Sequence, residues 1–325
     1  MKHMKTTLIA AIVGASIIAC PILYFLVGPA LDAYQLETLW ILLAIAGGSG
    51  LYCFIVGEIS RNNSQMDKLW SLLPEVYLWV MAARSGMNPR ITIMAILATL
   101  WGIRLTFNFA RKGAYSWKFW AGREDYRWIV LRENKSFQPH YKWALFNFFF
   151  ISIYQNLLVL AITLPALVSM NSEASLNWID LLATILVTFF LIIELIADEQ
   201  QWAFHSKKHK LLAEGKNLEE LPAPYNRGFN TIGLWGHCRH PNYVGEQGIW
   251  LSLYVFSIAA GIGIFNWSLI GALLLIVLFL GSSTFGEGVS ASKYPEYSLY
   301  QRQVPRYLFW KKYRGERKEE AKEEA

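Results

Sequence analysis

One stretch of the chain gathers residue types that bind anions and position reacting groups: Gly233-Leu234-Trp235-Gly236-His237-Cys238-Arg239-His240-Pro241-Asn242-Tyr243-Val244-Gly245-Glu246. Proline has the backbone angle of a first helical turn, so the spacing predicts a helix that starts at Pro241, with Arg239 and His240 just ahead of it. A helix start presents unpaired N–H groups and the positive end of the dipole, a setting that favours phosphate and other anions. Two donor side chains at the same point strengthen that preference. Asn242 and Glu246 are four residues apart, hence on one helix face, one turn deeper. Gly245 and Gly248 flank that face and admit close approach of a ligand or a neighbouring helix. An acid inside a spanning segment costs about 2.5 kcal/mol or more near the bilayer centre and less near its edge, so it usually faces a cavity or a partner. The plainer reading of the same residues is an interfacial anchor with its glutamate near water.

Metal chemistry has less behind it. His205 and His209 are four apart and His237 and His240 three apart, a pattern similar to membrane di-iron hydroxylases. Histidine is a common ligand, but the chain has six in all and His3 is terminal, too few for such a cluster. No metal is expected; His205 and His209 read as one side of a wet, lysine-rich interfacial helix. Cys20, Cys53 and Cys238 are scattered with no CxxC pair, so neither a disulfide framework nor a thiolate metal site is implied.

The elements that must position the motif are membrane helices. Of the 325 residues, 54% are hydrophobic, 15% aromatic and only 17% charged, with a mean hydropathy of +0.28. Soluble domains average about 45–50% apolar and about 25% charged residues. Disorder is excluded, since it needs low hydrophobicity and high net charge. The 14 Trp, 16 Tyr and 19 Phe are of the kind that collects at bilayer interfaces. A net charge of +6 would raise nucleic acid as a partner in a soluble chain; here it reads as orientation charge, and no nucleic acid is expected.

A spanning helix needs about 20 mostly apolar residues. Runs at roughly 6–28, 38–57, 69–83, 91–110, 143–168, 176–197, 243–263 and 266–285 qualify or nearly so, the third being interrupted by Pro74 and Glu75. The first resembles a signal peptide, and Ile17-Ile18-Ala19-Cys20 fits a lipoprotein box. Its apolar run continues to Val27, as a spanning helix does and a cleaved segment does not. The fold class is therefore all-α, a polytopic bundle of about eight spans. Lys and Arg crowd the segments 111–142, 198–241 and the tail beyond Gly286, whereas 29–37 and 169–175 hold none. Both termini and the candidate cofactor side then face the cytoplasm; only Arg84 and Arg90 dissent. The organisation expected is N-terminal transmembrane helices over 1–60, one membrane domain over 61–312 and a charged tail over 313–325.

The motif resembles the signature of the superfamily of steroid 5α-reductases, sterol reductases and isoprenylcysteine carboxyl methyltransferases. It is similar, too, to a family of bacterial and eukaryotic membrane proteins with a steroid-reductase-like C-terminal domain. The likeness runs from about Asp67 to Trp310. Its other pieces are Asp67-Lys68-Leu69-Trp70, Leu100-Trp101-Gly102-Ile103-Arg104-Leu105, Glu124-Asp125-Tyr126-Arg127-Trp128, Ala197-Asp198, Tyr297, and Tyr300 to Pro305. Reductases of this group bind NADPH and methyltransferases bind S-adenosylmethionine. Glu246 after Gly245 resembles the reductase pattern, where methyltransferases usually carry an apolar residue.

The resemblance implies an integral membrane oxidoreductase that passes hydride from NADPH to a conjugated C=C of a lipophilic, sterol-, isoprenoid- or lipid-like substrate. By the resemblance, Asn242 and Glu246 lie at the nicotinamide, Arg227 and Arg239 at the phosphates, and Asp198 in the adenosine-side network, with Arg104, His240 and Tyr243 added to the cofactor set. Hydride addition to an enone makes an enolate, so a donor must stabilise its oxygen. Asp67, protonated by burial, and the indole N–H of Trp101 stand nearest the implied positions, which makes Asp67, Trp101 and Glu246 the implied catalytic set. A membrane methyltransferase using S-adenosylmethionine and a non-catalytic lipid-binding protein remain the alternatives, with bilayer lipids as partners in each. A bacterial inner membrane and the endoplasmic reticulum both suit the topology.

Overall fold

In a computed structural model, residues 26–315 are described, and every regular element among them is helical. The first expected span falls mostly outside the described residues. The chain divides into two compact units, residues 1–187 with 250–277, and residues 188–249 with 278–325.

In the first unit, α1 (Ala33–Ser60) starts at Asp32, whose side chain accepts from Gln35 N while Gln35 caps back in return, and stops at Arg61 in the left-handed region, φ 53°. A short α2 (Gln65–Trp70) is followed by a separate α3 (Leu73–Arg84) with Pro74 in its first turn, where the missing N–H costs nothing. The expected span over 69–83 is thus a 12-residue helix, short of the length a bilayer needs. Asn88 caps α4 (Pro89–Arg111), and Asp125 caps α5 (Tyr126–Arg132). α6 (His140–Phe146) runs through a π-helical segment, Asn147–Tyr154, into α7 (Gln155–Ala161) and α8 (Leu164–Ser169), which restarts at Pro165. α9 (Trp178–Ala213), α10 (Pro241–Ala259) and α11 (Ile270–Lys293) follow, and α12 (Tyr297–Gln303) closes the order.

Among the described residues, five helical runs are long and apolar enough to cross a membrane: α1, α4, the run His140–Ser169, α9, and Trp267–Lys293. α10 is 19 residues long but carries Asn242, Glu246 and Gln247 in its first two turns, which dilutes its apolar character. The core of the first unit is built from Leu42, Tyr77, Leu78, Met81, Ile91 and Trp101, all fully buried. Gly271 lets its helix touch α7: a Cβ there would lie 2.1 Å from the Ala161 carbonyl oxygen.

The two arginines that dissent from the charge rule have local partners. Arg84 pairs with Glu37 at 3.1 Å and donates to Thr38 Oγ1 at 2.8 Å. Arg90, 1% exposed, makes a two-pronged pair with Asp180 at 2.7 and 2.9 Å and donates to the carbonyls of Ala174 and Ser175. The Arg90 pair is buried, whereas the Arg84 pair lies at the surface through Glu37.

Candidate functional site

Most of the residues implied at a cofactor belong to the second unit. Helix α10 begins at Pro241 as its sequence requires. Its two glycines serve helix packing: a Cβ on Gly245 would stand 2.6 Å from Glu194 Cβ and 2.9 Å from the Phe190 carbonyl, and one on Gly248 would enter the Phe190 ring. α9 therefore crosses α10 at this point, with backbone nearly touching backbone. Asn242 and Glu246 share a face of α10. Glu246 is buried at 4% exposure, and the side-chain oxygen of Asn242 is buried without a hydrogen-bond donor. Tyr243 stacks on His240, with centroids 5.1 Å apart and planes at 16°. Its ring also meets Phe279 edge-on at 4.3 Å, and its hydroxyl lies 3.3 Å from Ser282 Oγ.

Ahead of the helix, one carboxylate organises the cations. Glu287 on α11, 2% exposed, accepts from Arg239 Nε at 2.8 Å and Nη2 at 3.3 Å. It also accepts from His240 Nε2 at 2.9 Å, Arg306 Nη2 at 3.2 Å and Gln301 Nε2 at 2.9 Å. Arg239 Nη1 donates as well to the carbonyls of Gln301 and Val304. A guanidinium so enclosed has a fixed orientation. Burial lowers the His240 imidazole below its usual value despite the Glu287 contact, so at neutral pH the ring is uncharged and donates through Nε2–H. Burial likewise pushes the Cys238 thiol up to about 11, which makes it inert at neutral pH. Arg227 stands in a different group: it pairs with Glu296 at 3.1 Å, donates to Thr231 Oγ1 and lies over the Tyr313 ring. Asp198 is buried on α9.

Asp67, Trp101 and Arg104 belong to the first unit. The Asp67 carboxylate accepts from the Trp128 indole at 2.7 Å and from Arg127 at 3.4 Å. Burial raises its pKa, with Arg127 acting in the opposite direction. Trp101 is fully buried, edge-on to Trp250 at 5.0 Å, and Arg104 is buried on α4. Asp67 is thus joined to α5 and Trp101 to the core.

Sequence reasoning missed Glu287, the hub of the site. The signal was present: a single acid closing an otherwise apolar run after Phe285-Gly286, which in a membrane helix demands a partner. Lys68 was missed too; it is fully buried beside Asp67. Among the described residues, no three His, Cys, Asp or Glu side chains converge as a metal site requires.

Residues 53–304 match a family described as "Protein of unknown function (DUF1295)", and the chain belongs to that family. It is 36% identical over 280 residues to the Schizosaccharomyces pombe protein termed "Uncharacterized protein C594.04c", covering 79% of this chain and 78% of that one. No solved structure matches.

Proposed function

We propose that this chain is a membrane oxidoreductase that uses NADPH to reduce a conjugated C=C in a lipophilic substrate, built on the plan of the steroid 5α-reductase superfamily. One observation carries the reading: the Asn242 side-chain oxygen is buried with no donor, on the same face of α10 as Glu246. A buried acceptor left unmade costs about 1–3 kcal/mol, so it is suited to a ligand that brings an N–H. The carboxamide of a nicotinamide is such a donor. NADPH, when bound, supplies the hydride.

The chain's own groups supply placement and charge. Asn242 fixes the ring through its amide, Tyr243 packs beside it, and Glu246 sets the local charge one turn deeper. Arg239, already oriented by Glu287, offers its charge and the α10 N-terminus its N–H groups to phosphate, while His240, whose Nε2–H is held by Glu287, steadies that carboxylate. Arg227 and Asp198 complete the cofactor set on the second unit, and Arg104, on the first unit, is named by the resemblance alone. For the substrate oxygen the resemblance names Asp67, raised by burial, and Trp101, both on the first unit. The basic segments and both termini face the cytoplasm in this reading; a cysteine at Lys216 labelled by an impermeant reagent from outside intact cells would contradict that orientation.

The test separates grip from placement. Arg239→Ala should weaken NADPH binding, through loss of a charge-assisted contact worth about 1.5–3 kcal/mol. Glu246→Gln should spare binding and slow single-turnover oxidation, since a displacement of about 1 Å at a reacting centre costs on the order of 100-fold. Wild-type affinity and turnover in a well-folded Glu246→Gln protein would remove the nicotinamide from this face.

A further inference from the structure

The segment between α4 and α5 folds as a closed loop held by a single short stretch of chain. Arg123 N donates to the Gly113 carbonyl at 2.8 Å and closes the loop at its base. The carbonyls of four successive residues are then drawn inward: Lys68 Nζ donates to Phe119 O and Ala121 O, both at 2.6 Å. Gln65 Nε2 donates to Trp120 O at 2.9 Å, and Asn62 Nδ2 to Gly122 O at 3.0 Å. Three side chains at a three-residue spacing, Asn62, Gln65 and Lys68, thus turn the backbone of 119–122 towards the protein, and all three are buried. Farther along, Ser64 accepts from Asp125 N at 2.8 Å, and Asp67 holds Trp128.

What this clamp leaves outside is specific. Trp117 is fully exposed and Trp120 is 52% exposed, with Lys118 and Arg123 exposed beside them. Nearby Glu124 and Asp125 are taken by Arg132 and Arg127. Lys118 and Arg123 carry no ion pair among the described residues. Two indoles presented to water by a loop held this tightly are unfavourable, whereas at a membrane surface indole and cation together are favourable.

We propose that the loop 113–123 is a fixed lipid-binding finger, in which Trp117 and Trp120 enter the headgroup region and Lys118 and Arg123 select anionic phospholipid. The clamp residues keep the indoles aimed outward; the finger is independent of the cofactor reading.

The test uses the full chain in phosphatidylcholine vesicles containing phosphatidylglycerol, with a bimane reporter at Ser116→Cys and bromine near the headgroup end of one lipid's chains or the other's. A cation at an anionic surface contributes about fivefold enrichment each, so brominated phosphatidylglycerol should quench at least about threefold more per lipid than brominated phosphatidylcholine. Adding Lys118→Gln with Arg123→Gln should bring that ratio close to one, while quenching by phosphatidylcholine persists through the indoles. Both substituted positions are exposed, so folding is preserved, and unchanged thermal unfolding checks it. Quenching by neither lipid, equal quenching in the parent protein, or an anionic preference that survives the double substitution would each overturn the proposal.

Discussion

Glu287→Gln is the sharpest probe of the second unit. The carboxylate is 2% exposed and accepts from two arginines, one histidine and one glutamine, at 2.8–3.3 Å. The amide keeps the volume and removes the negative charge, leaving Arg239, itself 10% exposed at the side chain, without a counter-ion. Removing one partner of a buried pair costs about 3–5 kcal/mol, mostly as the penalty of the stranded charge. At about 2–4 °C per kcal/mol for a domain of this scale, thermal unfolding in detergent should fall on the order of 10 °C. Because Arg239→Gln relieves the same charge, the double substitution should cost clearly less than the sum of the two single ones. Single-variant melting within about 2 °C of the parent, with additive effects in the double variant, would refute the assignment of Glu287 as the hub.

Lys68→Met removes two charge-assisted hydrogen bonds to Phe119 O and Ala121 O, worth about 1.5–3 kcal/mol each; limited trypsin digestion should then cut between Lys112 and Arg132 faster than in the parent. Gly245→Val places carbon against Glu194 Cβ and the Phe190 carbonyl, and overpacking of this kind costs about 1–3 kcal/mol or more, to be read as a loss of folded yield and melting temperature. His240 has a folded pKa lowered by burial, so the unfolded chain takes up the proton first. Its contribution to stability is complete above about pH 6.5 and is lost as the pH falls below that value towards the folded pKa. Melting at pH 7.5 and 5.5 should therefore show a larger drop for the parent than for His240→Gln.

The start of α10 was legible because proline and the residues around it act locally, and local rules travel with the sequence. The apolar runs were legible for the same reason, except where a run was cut: Pro74 starts α3 afresh, and the span expected over 69–83 became a short helix. The partners were not legible. Arg239 and Glu287 lie 48 positions apart, and nothing in either neighbourhood names the other. Asp67 was singled out by the resemblance, yet its partner Trp128 comes from α5, 61 positions away. Gly245 and Gly248 announced a close approach, and only the packing of Phe190 and Glu194 identifies a helix as what approaches. Glu37 and Asp180 stand beside Arg84 and Arg90, and a count of cations along the chain does not see them.

In the function proposed above, the Asn242 face of α10 holds a nicotinamide. Calorimetric titration of the detergent-purified protein with NADPH, and separately with S-adenosylmethionine, tests it most directly. Saturable NADPH binding is expected, weakening as salt screens the phosphate contacts and falling in Asn242→Leu, which keeps the size of the side chain and removes its acceptor. Saturable S-adenosylmethionine binding with none of NADPH, or NADPH binding indifferent to Asn242→Leu, would contradict it.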